Sequence, residues 1–275
     1  MRENRIKTSW QAKEVPAMKP IAIISIFLFC FYSCRTITVI KKMHSENATT
    51  IEWSSNHKTV VFVPVVHVAK PEFYSSVKSI IKTYKEKGYI VFYEGTKMNA
   101  IDDSISNTLA NKNYVKQFYR GPANKDSIAQ DVYKRKINKM VGLTLDSTGY
   151  AKYFHQKKIF KSMISQPSHS MLGIDQPDLL VDIPQNKLVD TYEKMYGEIL
   201  LEQLDFQIAP NGIYPKRLRL PKQKVRTIII DYRNRYLANS IQNSTHQYIL
   251  VIYGFVHEEG TFTILHQLDN SWKRN

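Results

Sequence analysis

Val60-Val61-Phe62-Val63-Pro64-Val65-Val66-His67 and Tyr248-Ile249-Leu250-Val251-Ile252-Tyr253-Gly254-Phe255-Val256-His257 are two apolar runs, far apart in the chain, that end alike. Each is rich in β-branched and aromatic residues, meets a Pro or Gly, and reaches a histidine after two more apolar positions. A third run, Tyr89-Ile90-Val91-Phe92-Tyr93, stops at Glu94-Gly95. Short continuous apolar runs read as strands buried on both faces, which is the condition of a parallel sheet. In open α/β sheets ligands bind beyond the carboxyl ends of the strands. The sequence therefore predicts an α/β fold with a mostly parallel central sheet flanked by helices. Two imidazoles and a carboxylate are offered at one edge of it.

Working outward, Lys70-Pro71-Glu72 opens a helix, with proline and an acid in the first turn. Phe73, Val77, Ile80, Ile81 and Tyr84 carry its apolar face to Gly88. A strand, a helix and a second strand in this order imply a parallel pair with a right-handed crossover. Residues 99–165 read as a mainly helical insertion forming part of the substrate cleft, broken at Gly121-Pro122, Gly142 and Gly149. Met171–Asp175 reads as another short strand ending in a carboxylate. Residues 185–208 read as one helix, with Leu188, Tyr192, Met195 and Ile199 on a face, and 210–223 as a basic, Pro-rich loop. Val225–Asn243 reads as a helix whose stripe is Ile230, Arg233, Leu237 and Ile241. An arginine on an apolar stripe must find a partner, because an unpaired buried charge is expensive. A strand over Gln247–Tyr253 and a helix over Gly260–Leu268 complete the chain.

The 275 residues are 43% hydrophobic and carry a net charge of +15. Residues 1–34 read as a secretory signal of lipoprotein type. Lys19-Pro20 precedes the short apolar core Ile21–Tyr32, and Ser33-Cys34 ends it, with Met18 as an alternative start. Residues 35–57 then read as a tether and 58–275 as the domain. The chain has two cysteines, Cys30 and Cys34, both in the leader. Cleavage before Cys34 leaves the domain without a disulfide, a cysteine nucleophile or a thiolate-bound zinc. Arg2, Arg5, Lys7, Lys13 and Lys19 against Glu3 and Glu14 give the leader +3, so the mature part carries +12. In an exported domain such charge suits anionic lipid or surface polysaccharide rather than nucleic acid. The expected location is the bacterial cell envelope, held to the membrane by lipid. There is no HExxH, no GxSxG and no phosphate-cradling glycine loop.

Val63-Pro64-Val65-Val66-His67, Pro71-Glu72-Phe73-Tyr74 and Val91-Phe92-Tyr93-Glu94-Gly95 together resemble the TraB/PrgY, GumN and TIKI group. That group carries two Gly-x-x-His motifs, a glutamate ending an early strand and an arginine on a late helix. Gly254-Phe255-Val256-His257 matches the second His motif. Pro64 stands where the first usually has glycine. Asp231-Tyr232-Arg233-Asn234-Arg235-Tyr236-Leu237-Ala238 is similar to the group's Glu-Arg-Asp-x-x-Met-Ala helix. The similarity covers 58–97 and 171–268. It implies a hydrolase acting on a peptide or amide, as TIKI members are described as metal-dependent proteases. More distant relatives include erythromycin esterases and haem-binding lipoproteins.

His67, Glu94 and His257 are the candidate ligands of a divalent ion such as manganese, cobalt or zinc. Such an ion lowers the pKa of bound water and polarises a carbonyl. Glu94 and Arg233 are the candidate catalytic residues, Arg233 by stabilising an oxyanion or fixing Glu94, and Asp175 is a further candidate. In a metal-free variant one histidine is the general base and Glu94 orients it. The reading from another class is a non-catalytic lipoprotein that sequesters a peptide signal or haem.

Overall fold

A computed structural model describes residues 38, 40–121, 124–142, 161–209 and 212–275. Residues 1–34, where the leader is expected, lie outside them, Cys30 and Cys34 included. Contacts divide the chain into residues 1–41 and 42–275. In the first part only the helical residues 38, 40 and 41 are described, and everything below concerns the second.

A mixed α/β fold is observed. Six strands form one sheet: β1 (Ile51–Ser54), β2 (Thr59–Val65), β4 (Ile90–Tyr93), β6 (Leu179–Leu180), β7 (Tyr248–Gly254) and β8 (Lys273–Arg274), in the spatial order β6-β4-β7-β2-β1-β8. The four strands from β6 to β2 are parallel, and β1 and β8 add antiparallel edges. Two-residue strands β3 (Val68–Ala69) and β5 (Ile164–Ser165) form a separate antiparallel pair. Both faces of the central strands are covered, which is why β2 and β7 carry almost unbroken apolar runs. Val60 and Phe62 of β2 share a core with Val251 and Tyr253 of β7 and with Leu237, Ala238 and Ile241. The alternating Val61, Val63 and Val65 point to the opposite face and are equally buried. Helix α1 (Pro71–Glu86) makes the crossover from β2 to β4, burying Phe73, Tyr74, Val77 and Ile81.

The insertion is mainly helical where it is described, with α2 (Asp103–Ala110), α3 (Asn113–Phe118) and α4 (Lys125–Val141) ahead of the short β5. It builds a second core with α5 (Gln185–Tyr196), through Val132, Ile137, Leu188, Tyr192 and Ile228.

Several sequence expectations shift. Residues 51–54 are not tether but a strand paired between β2 and β8, with Trp53 fully buried against Phe62, ring centroids 5.1 Å apart. Met171–Asp175 is not a strand. Ser170–Leu172 is a 3₁₀ turn ended by Gly173 at φ 85°, and the strand comes later, at Leu179–Leu180. The helix expected over 185–208 stops at Tyr196, where Gly197 turns to φ 94°, leaving Met195 exposed and α6 (Gln203–Gln207) separate. The late helix is interrupted. After α7 (Lys222–Arg226), residues Thr227–Tyr232 form a π-helical turn before α8 (Arg233–Asn243). The wider turn puts Ile228 and Arg233, five positions apart, on the buried side. In an α-helix that spacing is roughly 140° of rotation. Ile228, rather than the partly exposed Ile230, is the buried isoleucine. It packs in the helical core while Leu237 packs in the sheet core, and Arg233 lies between them in the chain. Finally α9 (Glu258–Leu268) follows a 3₁₀ turn at Phe255–His257.

Candidate functional site

Each of the four parallel strands delivers one polar residue beyond its carboxyl end: His67 after β2, Glu94 after β4, Asp182 after β6 and His257 after β7. Arg233, at the first position of α8, reaches into this edge and is 4% exposed. Its five N–H groups have five acceptors. Nε donates to Asp182 Oδ1 at 2.9 Å, and Nη2 donates to Asp182 Oδ2 at 2.7 Å and Glu94 Oε1 at 2.6 Å. Nη1 lies 3.2 Å from His257 Nε2 and 3.4 Å from the Ile229 carbonyl, which the π turn presents. The guanidinium carbon also sits 5.4 Å from the ring centre of Tyr253. The fork of donors explains why arginine stands here rather than lysine.

The other partners are pinned in turn. Glu94 Oε2 accepts from the Gly254 backbone N–H at 2.6 Å, and the Glu94 N–H donates to the Ile252 carbonyl. A Cβ at position 254 would come within 3.0 Å of that oxygen, so glycine permits the contact. Asp182 accepts further from the N–H groups of Gly95 and Ile183. His257 Nδ1 lies 2.6 Å from Asn234 Oδ1. Since Nε2 faces an arginine donor, Nδ1 carries the proton and donates to Asn234. Burial would raise the Glu94 carboxyl, but Arg233, His257 and His67 beside it bring it down to about 2. Burial first, and then Arg233, lower His257 to about 3.

His67 is half-buried, and its backbone is held on both sides. The Gln166 N–H donates to its carbonyl, and the Tyr74 hydroxyl donates to the Val66 carbonyl. The structure thus brings His67, Glu94, Arg233 and His257 to one edge. It does not bring Asp175, which is exposed and pairs with Lys85 Nζ at 2.6 Å, as the buried Asp178 does at 2.9 Å. Asp182 takes the place expected of Asp175. The reason is that the strand lies eight residues later than the sequence reading put it. Two further residues were not anticipated. Asn234 follows Arg233 and sets the His257 tautomer. His169 packs its ring 4.6 Å from that of Tyr93, and burial lowers its pKa.

As they stand, two of the three expected ligands already have hydrogen-bond partners. The Nε2 lone pair of His257 is taken by Arg233, and each Glu94 oxygen already accepts a short hydrogen bond. Among the described residues no group of three or more His, Cys, Asp or Glu side chains is arranged to hold a metal. Arg233 itself occupies the cation's place. Because all five of its N–H groups are engaged, it fixes Glu94 and has none left for an oxyanion. No family model, curated protein or solved structure matches the chain.

Two outcomes are expected. Gly260 lies in α9 where a Cβ would overlap the Asn234 amide nitrogen. Gly→Ala inside a helix ordinarily stabilises by about 0.5–1 kcal/mol. Here Gly260→Ala is expected to destabilise by about 1 kcal/mol or more in urea unfolding, and to revert to stabilising in an Asn234→Ala background. A stabilising Gly260→Ala in the wild type removes the close-packing argument.

The second concerns pH. His257 is depressed from 6.5 to about 3, so the unfolded chain binds the extra proton first. Stability therefore falls as pH drops from 6.5 toward 3. Glu94 is depressed from 4.5 to about 2, so its contribution is present above 4.5 and lost as pH falls toward 2. His257→Gln is expected to lower stability at pH 7 and to reduce the slope between pH 6.5 and 4.5, read from urea midpoints. An unchanged slope means His257 is not held neutral.

Proposed function

We propose that the domain is a hydrolase of peptide or amide bonds that works without a metal, with His67 as general base. The observation that carries this reading is the division of labour among the site's imidazoles. His257 is sealed, its two ring nitrogens facing Arg233 and Asn234, and His67 is half-buried beside the Glu94 carboxylate, whose pKa it lowers. His67 takes a proton from water as the water oxygen bonds to the substrate carbonyl carbon. The imidazolium then returns that proton to the leaving amine as the C–N bond breaks. Glu94 is a positioning residue that orients the His67 ring, and Arg233 with Asp182 holds Glu94 in place. The order of motifs shared with the TraB/PrgY, GumN and TIKI group supports the substrate class.

One observation favours the other class, a non-catalytic binder of a peptide signal or haem. The Arg233 network is closed, and closed networks serve structure as readily as chemistry. Under that reading His67, and not His257, is the candidate haem ligand, because the His257 Nε2 is engaged.

The test uses leader-free protein and a diverse synthetic peptide library, with cleavage read by mass spectrometry. Cleavage is expected to persist in excess chelator, and His67→Ala is expected to slow it roughly 10²–10⁴-fold. Loss of cleavage in chelator, restored by manganese, cobalt or zinc, would return the site to a metal mechanism. Peptide or haem binding with no turnover would select the binder.

We also propose export with lipidation at Cys34. Among the described residues no helix is long and apolar enough to cross a membrane. The reading rests on the apolar core before Ser33-Cys34. Labelled palmitate is expected to enter the wild type in a bacterial host and not Cys34→Ser. An unlabelled wild type removes the anchor.

A further inference from the structure

Between the helical insertion and α6 lies a cavity of about 560 Å³ that shares no residue with the Arg233 network. Pockets of this size take small molecules or a few residues of a peptide. Three aromatic rings wall it. Phe206 lies 6.1 Å from Phe118 and 6.5 Å from Tyr119, centroid to centroid. Arg135 of α4 also lines it, only 9% exposed, its guanidinium 5.1 Å from the Phe206 ring centre.

That arginine is committed on one side only. Nε donates to Asp131 Oδ2 at 2.7 Å, and Nη1 to the carbonyls of Asp205 at 2.6 Å and Ile208 at 3.0 Å. Nη2 has no hydrogen-bond partner among the described residues. An arginine held on two nitrogens, with the third open in an aromatic recess, is preset for a planar anion. Arg120 on the rim adds a second positive charge, and Asp131, the one acid of the lining, is already engaged by Arg135. Gln117, Gln203 and Gln207 complete the rim with amides, which both donate and accept.

We propose that this cavity binds an aromatic carboxylate, as presented by the C-terminal residue of a peptide ending in Phe or Tyr. The ring stacks among Phe118, Tyr119 and Phe206, the carboxylate takes Arg135 Nη2, and the glutamines meet the adjoining amide. The assignment is independent of the hydrolase reading, since binding is expected whether or not the protein cleaves.

The probes are N-acetyl-L-phenylalanine and the uncharged N-acetyl-L-phenylalaninamide, titrated calorimetrically into leader-free protein at physiological salt. The acid is expected to bind saturably and the amide about tenfold or more weakly, the loss of one charged hydrogen bond. The double variant Gln203→Glu/Gln207→Glu changes two exposed rim residues. It is expected to weaken acid binding at least as much, with an unchanged urea midpoint. Arg120→Gln, also exposed, should act in the same direction and stands in if the double variant unfolds. No saturable binding of the acid, equal affinity for acid and amide, or wild-type affinity in these folded variants would each overturn the proposal.

Discussion

One buried guanidinium organises the carboxyl edge of the sheet. Leaving Arg233 unpaired at 4% exposure would cost several kcal/mol or more, so everything around it is arranged to supply acceptors. Two carboxylates, an imidazole lone pair and a freed helix carbonyl take its five N–H groups. These acceptors come from separate places in the chain. Glu94 follows β4, Asp182 follows β6, His257 follows β7, and Ile229 lies in the π turn. The arginine is thus a cross-link among elements that share no local sequence. Loss of Arg233 itself would strand two buried carboxylates, and breaking a buried pair costs about 3–5 kcal/mol.

The π turn shows how this demand reshapes local structure. A regular helix through Thr227–Tyr232 would aim Ile228 and Arg233 to different sides. Widening the turn lets Ile228 enter the helical core and Arg233 the sheet edge, with Leu237 still reaching the sheet core. The Ile229 carbonyl of the same turn accepts from that arginine at 3.4 Å.

Much of this could be read from sequence, for definite reasons. β2, β4, β7 and α1 were legible because burial on both sides forces continuous apolar runs, and because Pro71 and Gly88 punctuate the helix. His67, Glu94 and His257 followed from the same rule, as each comes just after such a run. Asp182 obeys that rule too. It was missed because β6 is two residues long, too short for periodicity, while the apolar Met171–Ile174 imitates a strand. The single stripe through Ile230 assumed an unbroken 3.6-residue period, and no composition signal marks a π turn. Asn234 was invisible for a different reason. Its role depends on Gly260 lying close enough to accept its amide, a contact between two helices. β1 was hidden because its four residues stand among polar neighbours, and only the burial of Trp53 marks it as part of the sheet.

The position of β7 carries a consequence for how the molecule comes into being. It pairs with β4 over Ile249–Ile252 on one side and with β2 over Tyr248–Gly254 on the other. Without it the sheet falls into two fragments, β6–β4 and the β2–β1–β8 edge. A two-stranded piece such as β1–β2 has marginal stability alone. During synthesis the first nine-tenths of the chain has no central strand to organise around, and closing so long a loop is entropically costly and slow. The same late strand brings the Gly254 N–H and His257 that complete the Arg233 network. Shape and site therefore arrive together, and a chain truncated before β7 has neither.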